Sequence, residues 1–330
     1  MDKAKLYKIA GPAIKLLIII VAFSFLFYKI FFRKDISGIF EFFKSLINSD
    51  RLHLFIISFM LMFLNWGTEL AKWRFLIKRI ERISFISSVV AIFSGITISS
   101  ITPNRVGEYG GRVFVLSPGN RWQGVVLTIV GSISQLITTL CMGIISLLLF
   151  YPYFNLSDSL EFVLVFASVF AFFLLLTFYF NVSVLLRIIN KIKWLTPVMK
   201  YVSVLKKMNT ADLLFVLLYS ILRHLIFSFQ FFLLFRFAGL HIEIYHSFVV
   251  TSIIFLILAA IPTIALSEFG VRGSVTIFIF TQFFQHTSYD TQLLSLQVVS
   301  AAFLLWIINL AIPAVLGSFF ILKLKFFNHS

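Results

Sequence analysis

Two short stretches of the sequence set an acid and a base one helical turn apart within apolar surroundings. Residues 108–112 read Glu-Tyr-Gly-Gly-Arg and residues 268–272 read Glu-Phe-Gly-Val-Arg, so both fit Glu-aromatic-Gly-x-Arg. On a helix, i,i+4 spacing brings Glu108 to Arg112 and Glu268 to Arg272. Ionisable groups inside apolar sequence are expensive in a bilayer and mark function by default. Two chemistries fit. Either each pair neutralises itself, or the helix starts join Arg105, Arg112 and Arg272 in holding an anionic head group. Helix N-termini favour anions, and guanidinium grips phosphate with paired hydrogen bonds. The two are compatible, because a salt bridge can open for a ligand. Thr102-Pro103 reads as a helix start with Thr as cap and Pro in the first turn, and Ser267 can cap the second copy.

Other polar residues fall within apolar runs. Arg223-His224 sits near the middle of the run 213–235. Arg223 calls for a partner in Glu268 or Glu108, or for a lipid-phosphate or proton role shared with His224. Glu69 and Asn65, near the end of the run 52–71, read as interfacial or packing residues. Glu69 and His224 are also the candidates for proton or polar coupling. Gln135 and Gln230 read as hydrogen-bonding glue between helices.

The elements that position these residues are membrane helices. Hydrophobic residues make up 60% of the chain and charged residues 12%, against about 25% charged in a soluble domain. Mean hydropathy is +1.01. A net charge of +15 would suggest nucleic acid in a soluble protein, but here Lys and Arg cluster between apolar runs, as expected of loops facing anionic lipid. Nucleic acid is not an expected partner. Apolar runs lie at about 13–32, 52–71, 123–150, 162–180, 213–235 and 293–322. Residues 33–51 and 182–208 have apolar residues at helical spacing and read as surface helices.

Charge then constrains topology. If both apolar runs flanking the first motif crossed the membrane, the basic segment 182–208 would lie outside, against the positive-inside rule. Reading 83–116 as a hairpin that enters and returns on the inner side removes the conflict. The same logic makes 247–284 a hairpin entering from the outer side. The expected fold is therefore all-α and polytopic, a single domain over 1–330 with about six spanning helices and two re-entrant hairpins. They form an inverted repeat, about 52–150 and 213–322, with its binding site near the midplane. Both termini fall inside. Only 33–51, with Arg33, Lys34, Lys44 and Arg51, lands on the wrong side.

Thr102-Pro103-Asn104-Arg105-Val106-Gly107-Glu108 resembles the Thr-Pro-Gly-Arg-x-Gly-Glu signature of the lysylphosphatidylglycerol synthase transmembrane-region family. Pro262 to Arg272, ending Phe269-Gly270-Val271-Arg272, is similar to the family's second signature. The chain departs from the pattern at Asn104 in place of glycine, Ser267-Glu268 in place of a double glycine, and Gly273 in place of glutamate. The resemblance implies a flippase-like protein of the inner (plasma) membrane that handles an anionic phospholipid or lipid-linked glycan. The aminoacyl-transferring synthases carry an added soluble catalytic domain, and no stretch here is long and polar enough to be one.

Enzymatic alternatives find little support in the sequence. There is no Gly-Lys dipeptide and hence no P-loop, no His-Glu-x-x-His and no Gly-x-Ser-x-Gly. The one cysteine, Cys141, excludes an intrachain disulfide and argues against a cysteine metal site. No cofactor is expected. The expectation is a non-enzymatic lipid carrier. The alternatives are a membrane enzyme acting on lipid head groups and an accessory subunit that positions a lipid-modifying enzyme.

Overall fold

The structure is a computed structural model and describes residues 49–102, 105–150, 158–192, 197–261, 265–284 and 290–321, with three isolated positions before residue 49. Among these residues all regular structure is helical: α1 (Leu52–Ile77), α2 (Phe85–Ser100), α3 (Gly107–Val113), α4 (Arg121–Phe150), α5 (Asp158–Phe180), α6 (Val182–Lys191), the single turn α7 (Met199–Val202), α8 (Thr210–Phe237), α9 (Ile244–Ala260), α10 (Ala265–Phe284), α11 (Thr291–Trp306) and α12 (Ile312–Ile321). The expected first span and nearly all of 33–51 lie outside the described residues.

Among the described residues, four stretches are long and apolar enough to cross a membrane: Leu52–Ile77, Pro118–Leu149, Thr210–Phe237 and Gln292–Ile321. The shortest has 26 residues. At ~1.5 Å per residue that reaches about 39 Å, beyond the ~30 Å of a hydrocarbon core. The expected span 162–180 is α5, whose apolar part Val165–Phe180 is shorter. Two boundaries differ from the sequence reading. Helix α1 runs on to Ile77, so Lys72 and Arg74 belong to a helix rather than to a basic loop. The last span is broken by a π turn at Ile307–Ala311. Pro313 lacks an N–H to offer the carbonyl four residues back and crowds it, and the backbone widens just before it.

Side chains are sorted as lipid demands. Large apolar residues such as Phe63, Phe166, Phe170, Phe173, Phe215 and Leu218 are exposed. Small polar residues such as Ser58, Ser94, Thr97, Ser134, Ser220 and Ser252 are buried. Between helices in lipid, small residues allow close approach and hydroxyls bond back to the backbone. Buried residues fill 78% of the most apolar window of the last span, against 39–44% for the other three, so that span lies inside the bundle.

Helices α1 and α8 pack antiparallel at the centre. Phe55 meets Phe237 at one end, Gln230 Nε2 donates to Ser58 O at 2.9 Å, and Arg79 pairs with Asp212 at the other end. The capping box between Asn209 and Asp212 starts α8 beside the last turn of α1.

Two helical hairpins flank this pair. In the first, α2 and α3 cross where two glycines meet. A Cβ on Gly111 would lie 2.7 Å from Gly95 Cα, so no larger residue fits that crossing. The open end of this hairpin is closed by Glu81, whose carboxylate accepts from Ser117 N at 3.1 Å and from Asn120 Nδ2 at 2.9 Å. It thus opens at the Arg79 end of α1. In the second, α9 runs out and α10 returns, with His246 against the Phe283 ring at 5.3 Å. It opens at the Phe237 end, the opposite one. The packing is reciprocal: α2 of the first half lies on α12 of the second, and α9 of the second lies on α4 of the first. Glycines serve both crossings, Gly317 facing the Phe93 carbonyl and Gly143 facing Leu256.

Candidate functional site

The tip of the first hairpin is organised by Thr102. Its carbonyl accepts from Arg105 N at 3.3 Å, and its hydroxyl accepts from Gly107 N at 2.9 Å. The helix start is therefore later than expected: α3 begins at Gly107, and Thr102 caps it from five residues away. This turn puts Arg105 at φ 57°, in the left-handed region that non-glycine residues rarely occupy. Holding it there costs ~1–3 kcal/mol, and such strain gathers at functional sites. Gly107 has no substitute, since a Cβ there would meet Ile98 O and Thr102 Oγ1 at 2.7 Å. The Thr-x-x-Arg-x-Gly spacing is thus a device for aiming one arginine. In the second hairpin α10 begins at Ala265, so Ser267 stands inside the helix rather than at its cap. Glu268 lies in the same helix, its side chain outside the described residues.

Behind the tip lies an ion-pair cluster centred on Glu69. The Glu69 carboxylate is 4% exposed and pairs with Lys72 Nζ at 2.9 Å, Arg112 Nη1 at 2.7 Å and Arg223 Nη1 at 2.8 Å. Arg112 also pairs with Glu108, as its spacing requires. Glu69 therefore ties α1 to the first hairpin and to α8. This corrects its reading as an interfacial residue. It also corrects the partner of Arg223, which pairs with Glu69 and not with Glu108. Asn65, read as a packing residue, accepts from Arg223 Nε at 3.1 Å and donates to Asn309 Oδ1 at 2.8 Å. Asn309 donates in turn to Gln230 Oε1 at 3.2 Å. Gln230 and Gln135 do bridge helices, through Ser58 O and Ser220 O.

In front of this cluster opens a cavity of about 560 Å³. Arg105 reaches it from the tip of one hairpin and Arg272 from the other, while Arg223 and His224 come from α8 between them. The Arg223 guanidinium lies over the Trp66 ring at 4.9 Å and the Phe227 ring at 5.4 Å, which fixes its plane. His224 Nε2 is 3.0 Å from Ser252 Oγ, joining α8 to the second hairpin. Gln135, Thr139 and Asn309 add neutral polar groups, and Phe227, Phe255 and Leu258 an apolar wall. No acidic residue lines the cavity among the described residues. Glu69, Glu108 and Arg112 stand behind its wall.

Lys72, Arg112 and Arg223 pair with the carboxylates of Glu69 and Glu108, while Arg105, Arg223 and Arg272 line the cavity. Positive charge in a low-dielectric wall draws an anion. Among the described residues no group of three or more His, Cys, Asp or Glu is placed to hold a metal.

Sequence reasoning missed Lys72 and undervalued Glu69 and Asn65. One signal was available, the i,i+3 spacing of Glu69 and Lys72 on an apolar helix. Asn309, the one asparagine within the last apolar run, was the other.

A family model described as the lysylphosphatidylglycerol synthase TM region matches residues 13–317. Comparison with curated proteins and with solved structures gave no match.

Proposed function

Because the chain belongs to the lysylphosphatidylglycerol synthase transmembrane-region family, we propose that it binds an anionic phospholipid or lipid-linked glycan and carries its head group across the inner (plasma) membrane. The observation that carries this reading is the convergence of Arg105, Arg223 and Arg272 on one cavity with no acid in its described wall. A head-group phosphate sits among the three guanidiniums, each able to give charge-assisted hydrogen bonds. The apolar wall accommodates the start of the acyl or prenyl chain. Glu69 holds Arg223 in place when the cavity is empty and yields one of its bonds when phosphate arrives.

The architecture suits this task. In our reading about six helices span the bilayer, both termini lie inside, and the two hairpins are re-entrant halves of an inverted repeat, about 52–150 and 213–322. The hairpins open at opposite ends of the α1–α8 pair, and their packing on α12 and α4 is reciprocal. Non-helical backbone at a hairpin tip is tolerated at membrane depth where it lines a polar cavity, and Arg105 marks such a place. Rocking of one half against the other exposes the cavity to each side in turn. Glu108 serves by holding Arg112, which holds Glu69, and Glu268 by its i,i+4 spacing to Arg272. Glu69 couples the two halves through Arg223, and His224 ties α8 to the second hairpin.

The test is translocation of a labelled anionic phospholipid by the purified chain alone in liposomes. We expect transport above the protein-free rate, lost in Arg272→Gln with the fold intact. Transport at the protein-free rate would overturn the reading in favour of an accessory subunit or a lipid-modifying enzyme. Equal transport of a zwitterionic lipid would overturn the anion site.

A further inference from the structure

A second cavity shares no lining residue with the first. It holds about 650 Å³ and lies where the end of α5 meets α6 and the segment leading into α8. Local chemistry builds it. Asn181 Nδ2 donates to Thr177 O at 2.9 Å and closes the end of α5. Tyr179 Oη donates to Leu213 O at 2.9 Å and pins that end to the start of α8. The chain then turns into α6, which is strongly amphipathic: Leu186 is buried, while Arg187 and Asn190, one turn apart, line the cavity. The opposite wall is the 3-10 segment Ser203–Lys207, which buries Leu205 and presents Lys206, followed by Met208, Asn209 and Thr210.

We propose that this cavity is a binding site for one anionic phospholipid of the membrane leaflet at the Arg79 end. Its lining is that of an amphiphile. Six of the eleven lining residues are apolar, two are the cations Arg187 and Lys206, three are neutral and polar, and none is acidic. A phosphate meets the two cations, with Asn190, Asn209 and Thr210 left for the rest of the head group. Leu186, Leu205, Met208 and Leu213 receive the glycerol esters and first methylenes. A free phosphate would leave that apolar floor uncovered. The location agrees, since Asn209 caps α8 at the end where Asp212 holds Arg79, among Lys78, Arg82, Lys200 and Lys207. Such clusters face anionic lipid. The proposal does not rest on translocation, and no residue of the arginine-lined cavity takes part.

The test uses the full chain in zwitterionic detergent, with thermal unfolding followed as short-chain phosphatidylglycerol, short-chain phosphatidylcholine or inorganic phosphate is added. Wild type and Arg272→Gln should both show saturable stabilisation by phosphatidylglycerol through this site. In Arg187→Gln/Lys206→Gln the apparent affinity should fall about 25-fold, about fivefold for each cation near the surface. The control Lys191→Gln/Lys200→Gln removes as many charges from the same basic stretch but none from the cavity lining, and should change affinity less than twofold. The charge-preserving pair Arg187→Lys/Lys206→Arg should bind within about threefold of wild type. Equal losses in the first variant and the control would mean diffuse attraction and overturn the site. Equal stabilisation by phosphatidylcholine would reduce it to an apolar crevice. Equal stabilisation by inorganic phosphate would make it an anion site that does not select lipid. Loss of binding in Arg272→Gln alone would assign the effect to the central cavity, while leaving the transport reading intact.

Discussion

Replacing Glu69 by Gln should be the most damaging isosteric change in the bundle. The carboxylate is 4% exposed and takes hydrogen bonds from Lys72 at 2.9 Å, Arg112 at 2.7 Å and Arg223 at 2.8 Å. Gln keeps the shape but has one acceptor oxygen, and its amide turns N–H groups toward cations. Removing one partner of a buried pair costs ~3–5 kcal/mol, because the charge left behind stays desolvated. Here the loss is cushioned. Arg112 keeps Glu108, and Arg223 keeps Asn65 and the faces of Trp66 and Phe227. Lys72 has no such reserve, since its remaining bonds, to Gly131 O and Ser220 Oγ, are both 3.4 Å. The loss should therefore sit near the lower bound, about 3 kcal/mol, with stranded Lys72 its main source. Lys72→Met alone removes a cation from an over-supplied carboxylate and should cost only about 1 kcal/mol. If this is right, Glu69→Gln/Lys72→Met should be more stable than the sum of its parts by ~1–2 kcal/mol, within the range found for residues in contact. The assay is a double-mutant cycle on reversible unfolding in mixed micelles. Additive losses, or a Glu69→Gln protein within ~0.5 kcal/mol of wild type, would refute a cluster centred on Glu69.

Three further outcomes are expected. Reversing the first motif, Glu108→Arg/Arg112→Glu, should destabilise more than Arg112→Gln in the same unfolding assay, because it sets Glu at 112 against the Glu69 carboxylate that Arg112 now holds at 2.7 Å. Gly111→Ala should cost ~1–3 kcal/mol by pushing a Cβ to 2.7 Å from Gly95 Cα, while Gly119→Ala, with nothing within 4 Å, should be neutral by thermal unfolding. In a Cys141→Ala background, single cysteines at Asn120 and Glu243 should react with an impermeant maleimide from opposite sides of sealed vesicles, the first from the cytoplasmic side. Labelling of both from one side would sink the opposed hairpins.

Much of the site was visible in the sequence because lipid makes polarity conspicuous. Arg223 and His224 stood out in an apolar run, Arg272 lay in the second of the paired motifs, and Arg105 lay in the Thr102–Glu108 stretch that leads into the first. The structure brings all four to one cavity. The partners were harder to see. Glu69 and Lys72 sit where an apolar run gives way to Arg74, Lys78 and Arg79, so composition alone placed Glu69 at an interface and Lys72 in a basic loop. Only the continuation of α1 to Ile77 carries them inside. The bonds from Arg112 and Arg223 to Glu69 join residues 43 and 154 positions apart. No local spacing encodes such pairs. The cavity at Arg187 and Lys206 was hidden for a related reason: both residues belong to a basic stretch whose charge alone explains their presence, and only the pinning of α5 by Tyr179 turns them toward a common space.

The π turn at Ile307–Ala311 also sets an angular phase. A π turn holds one residue more than an α turn, and one residue is about 100° of rotation around a helix. Everything beyond Ala311 is therefore rotated by about that angle relative to an unbroken helix continuing from α11. The face of α12 that meets the first hairpin, with Gly317 against Phe93 and the Ala314 carbonyl accepting from Thr97 Oγ1 at 2.7 Å, exists at this azimuth only because of the insertion. In a regular helix those residues would turn away, and bulkier neighbours would face α2. Deleting one residue from within the wide turn would restore α geometry upstream of Pro313 and leave the downstream face in phase. The same deletion one turn later would not. The last helix thus tolerates a change of length at one place, the place where it also presents Asn309 to the cavity.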